Sequence, residues 1–373
     1  MHIIVDRTKF LKSLGRVHRV VERRNTIPIL SNVLIEAFGS RLHLKTTDLD
    51  LEVREKTTAE VKEGGGITVP AHLLYDIIRK LPDASEVTLI LSSDRGAIFV
   101  IFGRSKFRLQ CLPKEDFPEL NVSQFTHSFE LSSKVLKRLI HCTHFAVSSE
   151  DTRYYLNGIY LHILDHDGVL KFRAVATDGH RLARVEMTAP SGLESMPGVI
   201  VPRKTVSELQ KLLNEEQTDS VFVELSETKI RFRIASLILT SKLIEGTFPD
   251  YQRVIPLDND KKLLVNRAMF SLSVDRVSTI SSDRGRAVKL SLSMNQLTLL
   301  VNNPDSGTAE DCLSVEYASD GMDIGFNSRY LLDIVTRLLG KNLIFMLGDS
   351  GSPTLIFDPQ EVDVLYVLMP MRF

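Results

Sequence analysis

The chain has 373 residues, of which 43% are hydrophobic and 25% charged, and its net charge is −1. The composition excludes a polycation, and no apolar run approaches the ~18 residues of a membrane span. The three widely spaced cysteines, at positions 111, 142 and 312, argue against a disulfide scaffold. Residues 1–6 lack the pattern of a signal peptide, so we expect a cytoplasmic protein without membrane association.

One pattern occurs three times: an apolar strand, a break and an amphipathic helix. The copies lie at residues 67–81, 200–213 and 324–339, and Pro70, Pro202 and Phe326 are separated by 132 and 124 residues. Solenoid repeats have periods of roughly 20–50 residues. We therefore interpret the pattern as a whole domain present three times, in a chain longer than the roughly 250–300 residues that one core serves.

Apolar residues spaced by three and four predict two helices in each third of the chain. The predicted helices are 9–24, 72–80, 134–141, 203–213, 267–286 and 329–341. Alternating or continuously apolar runs between them predict strands, and Pro, Asp and Asn cluster at the junctions. We predict an α+β fold of three similar domains, each with two helices on antiparallel sheet, at 1–121, 127–249 and 251–373.

The predicted helices hold 21 of the 46 Lys and Arg residues but 6 of the 47 Asp and Glu residues. One interpretation is an ordinary solvated helix face. However, Glu forms helices as well as Lys does, so propensity does not explain its exclusion. The other interpretation, which we favour, is a shared surface that binds the phosphates of duplex DNA without reading sequence. The chain contains no Trp, which argues against a platform for stacking bases.

Candidate catalytic residues are few. Asp178 and His180 could form an acid–base site, or Asp178-Gly179 could simply make a tight turn. Residues 46–49 and 302–305 occupy the same place in the other copies and lack the histidine. We therefore expect a turn and no enzyme activity.

Candidate metal ligands are equally weak. Residues 165–168 lack the later ligands of a calcium loop and read as a hairpin turn, while residues 141–144 carry two His and a Cys without a second ligand pair. Asp48, Asp50 and Glu52 alternate as on a solvated strand edge. We expect no metal and no cofactor.

Five motifs carry a close resemblance to the bacterial DNA sliding clamp family, the β subunit of DNA polymerase III. They are Arg-Tyr-Tyr-Leu-Asn-Gly at 153–158, Ala-Thr-Asp-Gly-His-Arg-Leu at 176–182, Val-Pro-Arg-Lys at 201–204, Phe-Pro-Asp-Tyr at 248–251 and Met-Pro-Met-Arg at 369–372. The resemblance implies the DNA clamp fold, with two protomers joined head to tail in a ring of six domains around double-stranded DNA. It also implies a non-catalytic processivity factor. Its expected partners are the polymerase III catalytic subunit, the clamp-loader complex, translesion polymerases and other clamp-motif proteins.

The resemblance implies a peptide pocket between the second and third domains. Its walls are expected to be Leu156, Thr177, Gly179, His180, Arg181, Leu182, Pro249, Arg253, Val254, Tyr330, Val367, Met369, Pro370, Met371 and Arg372. The methionines suit a surface that accepts many partners, and the arginines suit peptide carbonyls or a carboxylate. Pro353 stands where the family has a small polar residue, and we leave it out of the pocket.

For DNA, the resemblance assigns Arg24, at the end of the first helix, and Tyr154 and Tyr155 in a loop that faces the hole. Glu150 in that loop stands where a family member has Gln.

Charge predicts the ring interface. Arg104 and Lys106 flank Phe107 and Leu109 on the expected edge strand of the first domain, and the acidic residues Asp305, Glu310 and Asp311 lie on the corresponding part of the third. Opposite charges permit a heterologous contact that closes by two-fold symmetry. Phe107, Leu109 and Ile280 would form its apolar centre.

Two alternatives remain open from the residues alone. One is an enzyme that uses Asp178 and His180, and the other is a monomeric scaffold that uses the same pocket without DNA.

Overall fold

The structure is a computed structural model that describes residues 1–120, 124–281 and 286–372. The chain divides into two compact units. Unit 1 comprises Met1–Leu136, Pro190–Leu193 and Lys204–Leu243, and unit 2 comprises Lys137–Ala189, Glu194–Arg203 and Ile244–Phe373. Two of the predicted domain limits, residues 121 and 373, lie outside the described residues.

The described residues form six α-helices. They are α1 (Arg7–Val17), α2 (Ala71–Arg79), α3 (Ser133–Thr143), α4 (Arg203–Glu215), α5 (Arg267–Ser278) and α6 (Ser328–Val335). The six predicted helices are therefore confirmed, but α1, α5 and α6 end earlier than the predicted residues 24, 286 and 341. Residues 282–285 of the fifth predicted helix lie outside the described part of the chain.

Local hydrogen bonds mark the start of α1 and α5 and the end of α5. The side chain of Asp6 accepts from the backbone N–H of Lys9 and caps α1, and Asn266 caps α5 in the same way. At the other end of α5, the hydroxyls of Ser278 and Thr279 donate to the carbonyl of Asp275 at 3.1 and 3.2 Å. Such side-chain bonds compete with the backbone bonds that would extend the helix. The apolar periodicity of the sequence therefore extends beyond the last residue of the helix.

The strands follow in chain order. They are β1 (His2–Asp6), β2 (Asn32–Phe38), β3 (Arg41–Thr47), β4 (Leu51–Thr58), β5 (Glu60–Glu63), β6 (Gly65–Pro70), β7 (Glu86–Leu91), β8 (Ala97–Phe102), β9 (Ser105–Gln110), β10 (His127–Ser132), β11 (Gly158–His166), β12 (Val169–Thr177), β13 (Arg181–Thr188), β14 (Val199–Pro202), β15 (Ser220–Leu225), β16 (Lys229–Ile234), β17 (Leu237–Lys242), β18 (Lys261–Asn266), β19 (Ala287–Ser293), β20 (Gln296–Asn303), β21 (Gly307–Ser314), β22 (Glu316–Tyr317), β23 (Met322–Asn327), β24 (Asn342–Leu347), β25 (Thr354–Phe357) and β26 (Val364–Leu368).

Unit 1 contains two antiparallel sheets. The first has the order β5-β1-β7-β8-β9 and the second has the order β10-β15-β16-β17-β4-β3-β2-β6. In the second sheet β17 pairs with β4 in the register Leu239↔Val53. One continuous sheet thus contains strands from two of the predicted domains.

Unit 2 also contains two antiparallel sheets. The third sheet has the order β14-β11-β12-β13-β26-β25-β24-β18-β22, and the fourth has the order β21-β20-β19-β23. Here β13 pairs with β26, so Leu182 lies opposite Val367. The predicted combination of helices with antiparallel sheet is confirmed.

Helices α1 and α5 bury the apolar faces that their spacing predicts. In α1, Phe10, Leu14 and Val17 are fully buried, and in α5 so are Phe270 and Val274. Burial of each such side chain contributes roughly 1.5–3 kcal/mol.

The helices remain basic with their observed limits, holding 14 Lys and Arg residues against 5 Asp and Glu residues. However, the predicted exposed basic surface needs correction. Arg16 is 3% exposed and its Nη1 lies 2.8 Å from the carboxylate of Glu55, which is equally buried. Burial raises the pKa of Glu55, while Arg16 opposes that shift. Part of the basic excess therefore stabilises the interior.

Candidate partner-binding pocket

The turn between β12 and β13 is built by side-chain hydrogen bonds. The Asp178 carboxylate accepts from the backbone N–H groups of His180 and Arg181 at 2.9 and 3.0 Å, and the Thr177 hydroxyl donates to the Arg181 carbonyl at 2.7 Å. Gly179 adopts φ of 88°, a value that favours glycine. The predicted turn is confirmed, and Asp178 is occupied in holding it.

Arg181 is the centre of this region. Its Nε lies 3.0 Å from Asp178, its Nη1 lies 2.6 Å from the Asp333 carboxylate, and its Nη2 donates to the Phe145 carbonyl at 2.6 Å. The guanidinium also lies 4.2 Å from the centre of the Tyr330 ring. All three guanidinium nitrogens have acceptors within the chain. Arg181 therefore braces the turn against α6 with three of its five N–H groups, and at 10% exposure its expected contact with a peptide stays a prediction.

Three residues of the predicted pocket, Leu156, Leu182 and Val367, belong to one buried apolar cluster. The cluster continues into Val175, Ile200, Phe248 and Tyr251, which the motif comparison did not assign to the pocket. Side chains alternate between the two faces of β12, so Val175 lies on the same face as Thr177. This alternation could have predicted that Val175 belongs to the pocket.

The carboxy-terminal segment is held against this cluster. The Met369 N–H donates to the His180 carbonyl at 2.9 Å, and the Met371 N–H donates to the Gly325 carbonyl at 2.8 Å. Met369 nevertheless keeps 37% of its surface exposed. A backbone that is anchored while its thioether side chains stay accessible provides an adaptable apolar wall.

The opposite side of the region is more open. Pro249 is exposed and Val254 is 48% exposed. Arg253 pairs with Asp250 at 2.8 Å, but its side chain is 84% exposed and can exchange that partner. Arg372 is exposed as well. Arg253 and Arg372 are thus more accessible to a ligand than Arg181.

A polar network lies beneath the apolar cluster. The Tyr251 hydroxyl accepts from Arg173 Nη1 at 3.1 Å and lies 3.0 Å from His162 Nε2, while Arg173 Nε lies 2.6 Å from Glu186. Burial lowers the pKa of His162. These residues are far apart in the sequence, and Tyr251 alone among them lies in one of the five motifs.

The two predicted interface strands are edge strands among the described residues. β9 lies at one end of the first sheet and β21 at one end of the fourth. Arg104, Lys106, Asp305 and Glu310 are exposed, and Phe107 is 37% exposed.

Two interface assignments need revision. Leu109 is 6% exposed and packs within unit 1, so it does not form an apolar interface centre. Asp311 is already paired with Arg276 at 2.5 Å, and this bond lowers the pKa of Asp311. The place of Ile280 in the interface stays a prediction, since its side chain is half-buried and the bond from Asn303 goes to its backbone carbonyl.

The residues assigned to DNA are exposed to different degrees. Arg24 is exposed, but it follows the end of α1 by seven residues and is not part of that helix, which corrects the prediction. Tyr154 is 55% exposed, and Tyr155 packs against the apolar cluster. Glu150 pairs with Arg153 at 3.0 Å.

The remaining candidates have structural explanations. Asp165 accepts from the Gly168 N–H at 2.8 Å and makes the predicted hairpin turn. Glu52 is 1% exposed on an interior strand, so the expected solvated edge is wrong. Across the described residues, no group of three or more His, Cys, Asp or Glu side chains is arranged to hold a metal ion. No described helix combines the length and apolar character that a membrane span requires.

Comparison with known proteins covers the whole chain. Residues 1–121, 130–250 and 252–372 match the N-terminal, central and C-terminal domain families of the DNA polymerase III beta subunit. The beta sliding clamp of Caulobacter vibrioides is 47% identical over 372 residues, and that of Escherichia coli is 39% identical over 373, with 100% of each chain covered.

Solved structures agree. The DnaN sliding clamp of Bartonella birtlesii bound to griselimycin is 62% identical, with a TM-score of 0.97 and complete coverage of both chains. The sliding clamp of Caulobacter crescentus is 47% identical with a TM-score of 0.95, again over 100% of both chains. The chain therefore belongs to the DNA polymerase III beta subunit family, the beta sliding clamps, which are non-catalytic processivity factors of DNA replication.

Proposed function

We propose that two copies of the chain close head to tail into a ring that encircles duplex DNA, slides along it and tethers polymerases. The observation that carries the ring is the character of the two edge strands. All but one residue of β9 and all but one of β21 are at least partly exposed. β9 carries Lys106 and Arg108, whereas β21 carries Glu310 beside Asp311, whose charge Arg276 already compensates.

Pairing β9 of one copy with β21 of its partner would cover both edges and extend two sheets into one. The contact is heterologous, and two such contacts related by a two-fold axis close a ring. Phe107 is the apolar anchor of this contact, and the opposite charges set its register more than its affinity. In this arrangement each copy contributes three domains, 1–121, 127–249 and 251–373.

The DNA-facing surface of the ring would consist of the basic helices, with Arg24 and Tyr154 at exposed positions beside them. Contacts to phosphates carry no sequence information, so binding is sequence-independent and falls with salt. Because closure of the ring retains the DNA, the direct affinity can stay weak and allow sliding.

The pocket in unit 2 would bind short peptides of protein partners. The buried cluster at Leu156, Leu182 and Val367 forms its floor, and Met369 and Val254 form accessible walls. The related Bartonella birtlesii clamp binds griselimycin, which supports a ligand site in the family. We propose that the partners include the polymerase III catalytic subunit, the clamp-loader complex and translesion polymerases, all in the cytoplasm.

Retention on closed DNA tests the ring. The protein is loaded onto nicked circular DNA and isolated by gel filtration, and the circle is then cut with a restriction enzyme. We expect retention on the circle and release after cutting. Equal retention on circular and linear DNA would show that contacts, and not closure, hold the DNA.

Substitution of Phe107 tests the interface. Phe107→Asp introduces a charge at the apolar anchor, so we expect sedimentation to change from a dimer to a monomer and retention on circles to disappear. Phe222→Asp is the matched control, because Phe222 is similarly exposed, at 41%, on β15. Both variants sedimenting as dimers would reject β9 as the interface.

Removal of residues 369–373 tests the pocket. We expect loss of binding to a labelled peptide from the polymerase III catalytic subunit, since the Met369 wall is gone, while sedimentation still reports a dimer. An unchanged peptide affinity would reject the assignment.

A further inference from the structure

The solvent face of the second sheet carries concentrated positive charge. In the register of this sheet Lys45 lies opposite Arg54, Arg54 lies opposite Ile238, and Ile238 lies opposite Arg233. Side chains that are directly opposite one another in antiparallel strands share a face. Arg41 lies on this face too, because it is an even number of positions from Lys45. This face is in unit 1 and is separate from the pocket described above.

Two cross-strand pairs on this face bring basic residues together. Lys45 lies opposite Arg54, and His43 lies opposite Lys56. Like charges placed directly opposite destabilise a sheet. Burial and the neighbouring Lys56 both lower the pKa of His43, with burial the larger cause. His43 is therefore held in its neutral form, and the positive charge of this face comes from its Lys and Arg side chains.

Carboxylates compensate only part of this charge. Three cations have partners, namely Lys45 with Glu119 at 3.3 Å, Arg54 with Glu52 at 2.5 Å and Arg233 with Glu224 at 2.7 Å. Arg41 and Lys56 are exposed, and neither has a carboxylate within 4.0 Å in the part of the chain that the structure describes. These two cations are the ones available to an external anion.

Both of them line one cavity. It has a volume of about 450 Å³ and is also bordered by Thr58, Ser236 and Ile238. Two hydroxyls beside two uncompensated cations form a polar site suited to a carboxylate.

A second cavity adjoins the first. It has a volume of about 270 Å³, shares Lys56, Ser236 and Ile238 with the first, and is also lined by Leu34, Glu36 and Glu119. We call the two cavities together the basic groove. It has an anion-binding end and a partly apolar end, so it fits an extended ligand better than a single small ion.

We propose that the basic groove binds an acidic peptide segment of a protein partner, with a carboxylate between Arg41 and Lys56 and an apolar side chain beside Leu34. A nucleic acid fits less well because Glu36, Glu52 and Glu224 lie on this face and would repel a continuous row of phosphates. A peptide can place neutral residues at those points. The backbone groups of the central strands are engaged in the sheet and cannot cradle phosphate.

Fluorescence anisotropy of the full-length protein tests this proposal. The probe is a short fluorescein-labelled peptide of alternating Glu and Leu, and the comparison probes are an alternating Lys and Leu peptide and a single-stranded oligo(dT). We expect the Glu peptide to bind the wild type most tightly. The double variant Arg41→Glu/Lys56→Glu should weaken it at least about tenfold, because two attractive contacts become repulsive.

Matched variants separate the groove from total charge and from folding. Lys62→Glu/Lys262→Glu makes the same change of charge at two exposed lysines on other sheets, and binding should stay within about twofold of the wild type. Arg41→Gln/Lys56→Gln should weaken binding but leave the melting temperature about unchanged, because both side chains are exposed and neither has an ion pair to lose. A purely structural role would instead lower the melting temperature.

Three results would overturn the proposal. They are equal weakening by both charge-reversal variants, no preference of the wild type for the Glu peptide over the Lys peptide, and tighter binding of the oligo(dT), which would identify a nucleic-acid surface.

Discussion

The same turn occurs in both units with different consequences. In unit 1 the Asp48 carboxylate accepts from the N–H groups of Asp50 and Leu51 at 2.9 and 2.7 Å, and the Thr47 hydroxyl donates to the Leu51 carbonyl at 3.0 Å. In unit 2 Asp178 and Thr177 make the corresponding bonds.

The last residue of the turn makes the difference. Leu51 is 2% exposed and adds to the core of unit 1. Arg181 in the same position contacts Asp178, Asp333 and Tyr330. The repeat therefore supplies the backbone geometry, and one changed side chain turns a core position into the support of a binding pocket.

Replacing that side chain should have the largest effect. Arg181→Ala leaves Asp178 and Asp333 without their cation, and we expect a loss of about 2–4 kcal/mol, reduced from the value for a fully buried pair because Asp333 is partly exposed. Peptide binding should be lost as well. Leu51→Ala should cost a similar amount through its cavity but keep peptide binding. Urea unfolding and anisotropy measure the two effects, and a loss of peptide binding in both variants would contradict the distinction.

The shared hydrogen bonds can be compared directly. Thr177→Val and Thr47→Val each remove two hydrogen bonds, one that the hydroxyl donates to a carbonyl and one that it accepts from a backbone N–H, and we expect about 1–2 kcal/mol of destabilisation in each. Urea unfolding of the two variants measures this. Losses that differ by more than about 1 kcal/mol would show that the two turns are not energetically equivalent.

The second position after each Thr provides a test of opposite sign. Gly179 has φ of 88° and Leu49 has φ of 79°. Gly179→Ala should destabilise by about 1–2 kcal/mol, because a Cβ is disfavoured at positive φ and would lie 2.7 Å from Arg153 Nη1. Leu49→Gly should stabilise by up to about 1 kcal/mol as that strain is relieved. Thermal melting measures the change in stability of both variants. If both are stabilised or both are destabilised, strain of a side chain at positive φ is not the cause.

The smallest expected effect is a pH dependence beneath the pocket. Burial lowers the pKa of His162, so near the ordinary value of about 6.5 the unfolded chain binds more protons than the folded one. Stability contributed by neutral His162 is therefore present above that pH and is lost as the pH falls below it.

His162→Gln should flatten the decline of the urea midpoint between pH 7.5 and 5.5. His43→Gln on β3, where burial also lowers the pKa of a histidine, should flatten it less because His43 is more exposed. A decline that is unchanged in His162→Gln would remove His162 as its source.

Much of the fold could be predicted from the sequence because it depends on local periodicity. Helical spacing located α1 to α6, and alternation with a charged edge located β9 and β21. Helix ends were less accurate. At the end of α5 the Ser278 hydroxyl donates to the Asp275 carbonyl, and an apolar pattern gives no sign of such a bond.

The sequence by itself determined the threefold repeat, the turn at Asp178 and the opposite charges of the two edges, since each depends on residues close together in the chain. Only the tertiary structure decided that Arg181 is engaged by Phe145 and Asp333, that Leu109 faces inward and that Glu52 is buried. These outcomes depend on which strands and helices become neighbours. The basic groove also depends on the tertiary structure, because β4 and β17, which pair beneath it, are more than a hundred residues apart in the chain.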